Sequence, residues 1–315
     1  MSSIGVVYYS ALESIKFENY LKVNDVEGFS VSSSMALVYP LVGSLFLLLF
    51  FYYFSVMSLI MFFSVLLTSL TSLAFVMYPL IERYLPRAAS MNIQLCCLKG
   101  TLEQAIVVFF SCLILILWMV TGHWLFNNLI GLSLCVLSIC VLRIPSLKIV
   151  AIGFVALFIY DIFWVFFSER FFGENVMLKV ATTAATNPMD TISQTLGLSG
   201  IFISKLQLPM KVIWGNRLLG LGDIVIPGAL VAFAAKLDHI QFKLNYLQQT
   251  KYFKLSFIGY CVGLAMAMNA ALLLEIAQPA LLYLVPSTLL PVLYHSYSKQ
   301  HLPLIWGGFA EEPVV

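Results

Sequence analysis

Gly220-Leu221-Gly222-Asp223-Ile224-Val225-Ile226-Pro227-Gly228-Ala229-Leu230-Val231 sets a single carboxylate between small residues and an apolar run. A charge inside lipid-soluble sequence is costly and needs a partner or a task. The surrounding chain is just as apolar: 315 residues, 61% hydrophobic, 10% charged, mean hydropathy +0.96. Soluble domains carry roughly 25% charged residues, so the composition is that of an all-α polytopic membrane protein. The net charge of +2 gives no reason to expect a nucleic-acid partner.

Outward from that stretch, uncharged runs divide into helices of membrane length. Residues 1–34 are polar enough to read as a short cytosolic segment. No charge falls between Glu27 and Glu82, room for two spans, about 35–56 and 58–81, with a turn near Ser55 to Ser58. Thr121-Gly122-His123 splits the next run into spans at about 104–121 and 124–142. A fifth span, about 148–167, contains Tyr160-Asp161, a second carboxylate in apolar surroundings. Residues 168–217 form the long polar connection, where 175–181 and 208–214 read as short strands able to pair as a small β-hairpin. Span six, about 218–236, holds Asp223. Span seven, about 254–274, carries Gly259-x-x-x-Gly263, which admits a close helix neighbour. Span eight starts at Gln278-Pro279-Ala280-Leu281, and Pro286 and Pro291 are expected to kink or break it. The regions are thus 1–34, a four-helix scaffold over 35–142, a catalytic membrane region over 143–298, and a cytosolic tail over 299–315.

With eight spans, twelve of the seventeen Lys and Arg residues fall on the side that holds both termini, which makes that side cytosolic. The rise of a helix then puts Asp161 roughly 20 Å up its span and Asp223 roughly 8 Å down from the far surface, at similar depth. Gln278-Pro279-Ala280-Leu281 enters from the same far side. Two neighbouring carboxylates share a proton, one serving as acid and the other as base. Buried carboxylates and broken helices also suit a proton- or cation-coupled transporter, or a non-catalytic membrane chaperone.

Metal and cofactor chemistry finds no pattern to support it: there is no Cys-x-x-Cys or His-Glu-x-x-His, and the four histidines are scattered. Four of the six cysteines lie in apolar runs. Cys96-Cys97 sits in a polar loop beside Lys99, where lipidation is an alternative to an inert role.

Tyr160-Asp161, Gly220-Leu221-Gly222-Asp223 and Gln278-Pro279-Ala280-Leu281 together resemble the GxGD intramembrane aspartyl proteases, the presenilin and signal peptide peptidase group, most like the signal-peptide-peptidase-like 3 branch. The resemblance implies a presenilin-like helical bundle of nine spans, of which about eight are visible here, the first being apparently missing. It implies Asp161 and Asp223 as catalytic residues, with Tyr160, Gly220, Leu221 and Gly222 supporting them. Gln278, Pro279, Ala280 and Leu281 would contact substrate, and no cofactor is needed. It further implies type II transmembrane substrates, shedding of Golgi glycosyltransferase-type ectodomains, a cytosolic C-terminus and a site toward the lumen. The absence of a dilysine signal near residue 315 points to the Golgi or an endosome rather than the endoplasmic reticulum. The expected partners are the bilayer, the substrates and, as an open alternative, a second copy of the chain.

Overall fold

The computed structural model describes residues 2–24, 30–84, 92–95, 98–183, 185–195, 205–206, 208–214, 217–241, 251–274 and 278–308. Cys96-Cys97 and the far end of the C-terminal tail lie outside them. The chain forms two compact units: Met1–Tyr52, Ser138–Thr182 and Gly222–Val315 make the first, and Tyr53–Leu137 with Thr183–Leu221 the second.

Helices follow in chain order as α1 (Ser2–Val23), α2 (Ser33–Tyr52), α3 (Phe54–Tyr84), α4 (Leu102–Thr121), α5 (Trp124–Val141) and α6 (Leu147–Ile162). A π-helical turn, Phe163–Phe167, joins α6 to α7 (Ser168–Phe172), and then come α8 (Val176–Thr182) and α9 (Pro188–Thr195). The Asp223 helix is α10 (Leu221–Lys236), ending in a second π turn at Leu237–Gln241. It is followed by α11 (Lys251–Leu274), α12 (Leu281–Ser298) and α13 (Leu302–Gly307). Among the described residues, six helical stretches are long and apolar enough to cross a membrane: α2, α3, α4, α5, the α6–α7 run and α11.

The segment read as polar and cytosolic contains the helix α1, which raises the eight long helices expected to nine of sixteen residues or more among the described residues. Its inward stripe is Ser3, Val7, Ser10, Ala11, Ser14, Ile15, Glu18 and Leu21, all buried at helical spacing. Average composition hides this face because serines and a glutamate sit on it. Ser10 and Ser14 donate to the carbonyls of Val6 and Ala11 at 2.7 and 2.8 Å, so close packing leaves neither hydroxyl unpaired. Glu18 accepts from Arg143 through both carboxylate oxygens and faces Lys236 Nζ at 3.5 Å.

The core of the first unit gathers Leu147, Val150 and Phe154 of α6, Leu230, Phe233 and Ala234 of α10, and Leu281, Val285, Leu289 and Val292 of α12. Helices α11 and α12 approach closely, because a Cβ at Gly259 would lie 2.1 Å from the Ser287 carbonyl oxygen. Pro291, four residues after Ser287, has no N–H for that carbonyl. Helix α12 therefore runs through Pro286 and Pro291 without the expected break, supported along one side by the glycine face of α11. Asp238, in the π turn after α10, accepts the N–H groups of Tyr252 and Phe253 at 3.4 and 2.8 Å and so caps α11.

In the second unit Phe62, Leu73, Leu115, Trp118 and Ile130 form the core, with Phe62 stacked on Trp118 at 6.1 Å. Helices α4 and α5 meet at Gly122, whose φ of 58° closes α4 in the left-handed region, as the Thr-Gly-His break predicts. The preceding α2–α3 turn is tighter than expected, a single residue at Tyr53. Three antiparallel pairs are present among the described residues: β1 (Asn92–Leu95) with β2 (Leu98–Thr101), β3 (Ala185–Thr186) with β4 (Lys205–Leu206), and β5 (Lys211–Trp214) with β6 (Arg217–Gly220).

The hairpin in the long connection is thus real but differently paired. Residues 176–182 are helical because Asn175 Oδ1 accepts the Leu178 N–H at 3.0 Å, a side-chain cap. Strand β5 pairs instead with β6, its near neighbour across the Gly215-Asn216 sequence, a two-residue hairpin signal. Consequently α10 begins at Leu221 rather than at 218. Asn128 lies along the outer edge of β5, accepting the Ile213 N–H at 2.8 Å and donating to its carbonyl at 2.6 Å.

Candidate active site

Asp161 stands at the end of α6 with 4% of its surface exposed. Its Oδ2 accepts the backbone N–H of Leu281 at 3.3 Å. The first N–H groups of a helix have no acceptor within it, and Ala280, at the N-cap position of α12, has no side chain able to supply one. A carboxylate from another helix does so. Pro279 is buried and its carbonyl accepts the Leu282 N–H at 3.1 Å, while the Ala280 carbonyl accepts from Tyr283 and Leu284, each at 3.1 Å. Gln278 Oε1 accepts the Tyr283 hydroxyl at 3.3 Å, folding the segment before α12 back onto its first turn.

Asp223 is half-buried in the first turn of α10. Leu157 and Phe158, four and three residues before Asp161, join the same apolar cluster as Ile226, three residues after Asp223, and Leu281. Residues three and four apart share a helix face, so each aspartate lies on a face of its own helix that packs into that cluster.

The Tyr160 ring packs against α2. It lies 3.6–3.7 Å from where a Cβ of Gly43 would be, and 6.4 Å from the Trp164 ring. Trp164 Nε1 donates to Ser44 at 3.0 Å, so α6 and its π turn bind α2 through two aromatic residues. Gly43, Ser44 and the π turn carry no sequence signal apart from the Tyr160–Trp164 spacing of one helical turn.

Gly220 and Leu221 belong to the second unit: Gly220 pairs with Lys211 at the end of β6, and the Leu221 N–H donates to the Met210 carbonyl at 3.1 Å. Gly220 is therefore the end of a strand and not, as a span from about 218 would have it, part of the Asp223 helix. Gly222 is exposed, and a Cβ there would meet nothing nearer than Ile226 Cδ1 at 3.9 Å. Its lack of a side chain leaves open space one residue from Asp223. Among the described residues no three His, Cys, Asp or Glu side chains come together as a metal site requires.

A helical membrane bundle in which a carboxylate from one helix caps the helix that follows Pro279, with a second carboxylate in the first turn of another helix, has the parts of an aspartyl hydrolase working inside lipid. The chain belongs to the signal peptide peptidase family, whose model matches residues 23–312. It is similar to signal peptide peptidase-like 1 of Oryza sativa subsp. japonica, 37% identical over 98% of this chain and 91% of the relative. It is also similar to signal peptide peptidase-like 1 of Arabidopsis thaliana, 35% identical over 98% of this chain and 91% of the relative. Signal peptide peptidase-like 3 of Oryza sativa subsp. japonica is 30% identical over 90% of this chain and 53% of the relative, so identity is higher to the two like-1 proteins. No solved structure matches. The protein is an intramembrane aspartic endopeptidase, a multi-pass membrane protein whose substrates are membrane proteins in the bilayer.

Proposed function

We propose that Asp161 and Asp223 are the catalytic dyad, and that the enzyme cuts type II membrane proteins within or beside their transmembrane segment. The observation that carries this reading is the hydrogen bond from the Leu281 N–H to Asp161, made at the edge of the cluster that Ile226 also joins. In the reaction the ionised carboxylate takes a proton from water as the water oxygen attacks the scissile carbonyl carbon. The protonated carboxyl donates to the carbonyl oxygen, giving a tetrahedral diol without an enzyme adduct. Collapse breaks the C–N bond: the first carboxyl returns its proton to the leaving nitrogen, and the second carboxylate takes back a proton from one diol hydroxyl, which restores the starting pair. Tyr160, Gly220, Leu221 and Gly222 support the pair, while Gln278, Pro279, Ala280 and Leu281 receive the unwound substrate backbone.

The clustering of basic residues favours a cytosolic C-terminus and a site toward the lumen. With the GxGD resemblance, nearest to the like-3 branch, this supports shedding of glycosyltransferase-type ectodomains in the Golgi, an endosome or the endoplasmic reticulum. Both carboxylates come from one chain, so the reaction does not require a second copy.

Purified protein incubated with a type II transmembrane peptide, with and without a hydroxyl-containing transition-state isostere, tests the reading by mass spectrometry of products. Wild type yields inhibitor-sensitive fragments, whereas Asp161→Asn and Asp223→Asn yield none while unfolding at the wild-type temperature. Cleavage by either variant refutes the dyad, and equal cleavage of a type I peptide refutes the type II preference.

A further inference from the structure

The helix that carries Asp161 does not remain α-helical beyond it. From Phe163 to Phe167 it widens to π geometry, and the Ser168 N–H reaches the Phe163 carbonyl instead of that of Trp164. Such turns are rare, and the carbonyls they displace need other donors. Here both donors are side chains. Ser168 Oγ donates to the Trp164 carbonyl at 2.7 Å, and Asn175 Nδ2 donates to the Val165 carbonyl at 2.9 Å.

Each of these side chains is used at both ends. Ser168 Oγ accepts the Val176 N–H at 3.4 Å, and Asn175 Oδ1 accepts that of Leu178 at 3.0 Å. The start of α8 is thereby fastened to the π turn. On the opposite flank Ser44 accepts the Trp164 indole N–H at 3.0 Å, and the Trp164 ring stacks on Phe172 at 5.7 Å. Asp161, immediately before the turn, is tied to Leu281.

We infer that Asn175 and Ser168 are positioning residues for Asp161: they hold the π turn in place and so keep the carboxylate in register with the first N–H of α12. This rests on Asp161 being one of the two catalytic carboxylates. A π turn accommodates one more residue than regular helix, and one residue corresponds to about 100° of rotation. Relaxation to α geometry sets the Trp164–Ser44 and Phe172 anchors against the Asp161–Leu281 bond, because the two sides of the turn can no longer keep their present facing. A displacement of about 1 Å at a reacting group costs about a hundredfold in rate.

The test uses the full chain in lipid nanodiscs, with a cleavable transmembrane peptide and kcat, KM and thermal midpoint measured together. Asn175→Asp keeps the acceptor for Leu178 but has no N–H for Val165, while Asn175→Ala loses both. Ser168→Ala removes the donor to Trp164 without adding charge. The expected result is a fall in kcat of about 10- to 100-fold for all three, with KM within about threefold and with the thermal midpoint of Asn175→Asp unchanged. If Asn175 is only a helix cap, Asn175→Asp keeps wild-type kcat and the inference is overturned. It is equally overturned if kcat falls only where the thermal midpoint falls with it. Asp161→Asn is run alongside: its inactivity keeps the dyad standing whatever Asn175 does, and its activity removes the dyad itself.

Discussion

Replacing Gly259 with alanine puts a methyl carbon 2.1 Å from the Ser287 carbonyl oxygen, 3.0 Å from its carbonyl carbon and 3.1 Å from Thr288 Cα. Ordinary contact begins near 3.4 Å, so α11 and α12 must separate by about 1.3 Å along that line. All three obstructing atoms are backbone, and no side-chain rotation relieves them. At Gly263 the nearest obstacle, also 2.1 Å away, is Ser287 Oγ, a side-chain atom, although Leu284 Cα and the Tyr283 oxygen follow at 3.1 Å. Overpacking costs about 1–3 kcal/mol where neighbours can yield, and more where they cannot. Gly259→Ala should therefore cost at least about 3 kcal/mol and Gly263→Ala about 1–2 kcal/mol. Because the first N–H of α12 is held by Asp161, displacement of α12 should also lower cleavage. The assay is thermal unfolding in detergent micelles with peptide cleavage measured in parallel, on both variants alone and combined with Ser287→Ala. Removing Oγ should recover most of the Gly263→Ala loss and none of the Gly259→Ala loss. Wild-type stability of Gly259→Ala, or its rescue by Ser287→Ala, would refute the contact geometry.

Glu18 is 7% exposed and Lys236 5% exposed, so Glu18→Gln leaves two cations facing each other without their carboxylate. A loss of about 3–5 kcal/mol is expected, and adding Lys236→Met should restore part of it in a detergent unfolding assay; a double variant no better than the single one speaks against the ion pair. Asp238, just beyond the Asp223 span and 1% exposed, has its carboxyl pushed up to about 6, by burial first, with the Phe253 and Tyr252 N–H groups and Lys254 opposing. The folded protein then holds this proton more firmly than the unfolded chain, whose carboxyl titrates near 3.8, so the group's contribution to stability rises as pH falls from about 6 toward 4, by up to about 3 kcal/mol. Asp238→Asn should lack that rise, and parallel unfolding midpoints for the two proteins across this range would exclude it. For the dyad, either Asp→Asn change should leave the unfolding temperature in place and reduce cleavage below detection.

Much of the bundle follows from charge placement, because a charged residue inside lipid is expensive and a long uncharged run has few alternatives to helix. Gly122 ends α4 where the chain needs a left-handed residue, and Asp161 and Asp223 announce themselves as the carboxylates within apolar spans. Helix α1 was not legible in the same way. Its inward face sets Val7, Ala11, Ile15 and Leu21 among serines and Glu18, and Glu18 is satisfied by neighbours including Arg143, more than a hundred residues away in sequence.

The chain alone also determined the chemistry of the site residues, since residue type decides what can hold or give a proton. Their arrangement was decided by tertiary structure. Asn175 caps a helix where local propensity suggested a strand, because its amide is held at both ends. Pro286 and Pro291 remain within α12, where the Gly259 face packs against it. Leu281, marked in the sequence only as the last residue of Gln278-Pro279-Ala280-Leu281, supplies the N–H that Asp161 accepts. Backbone donors and acceptors are the same for nearly every residue, so only packing decides which of them a carboxylate 120 positions away will meet.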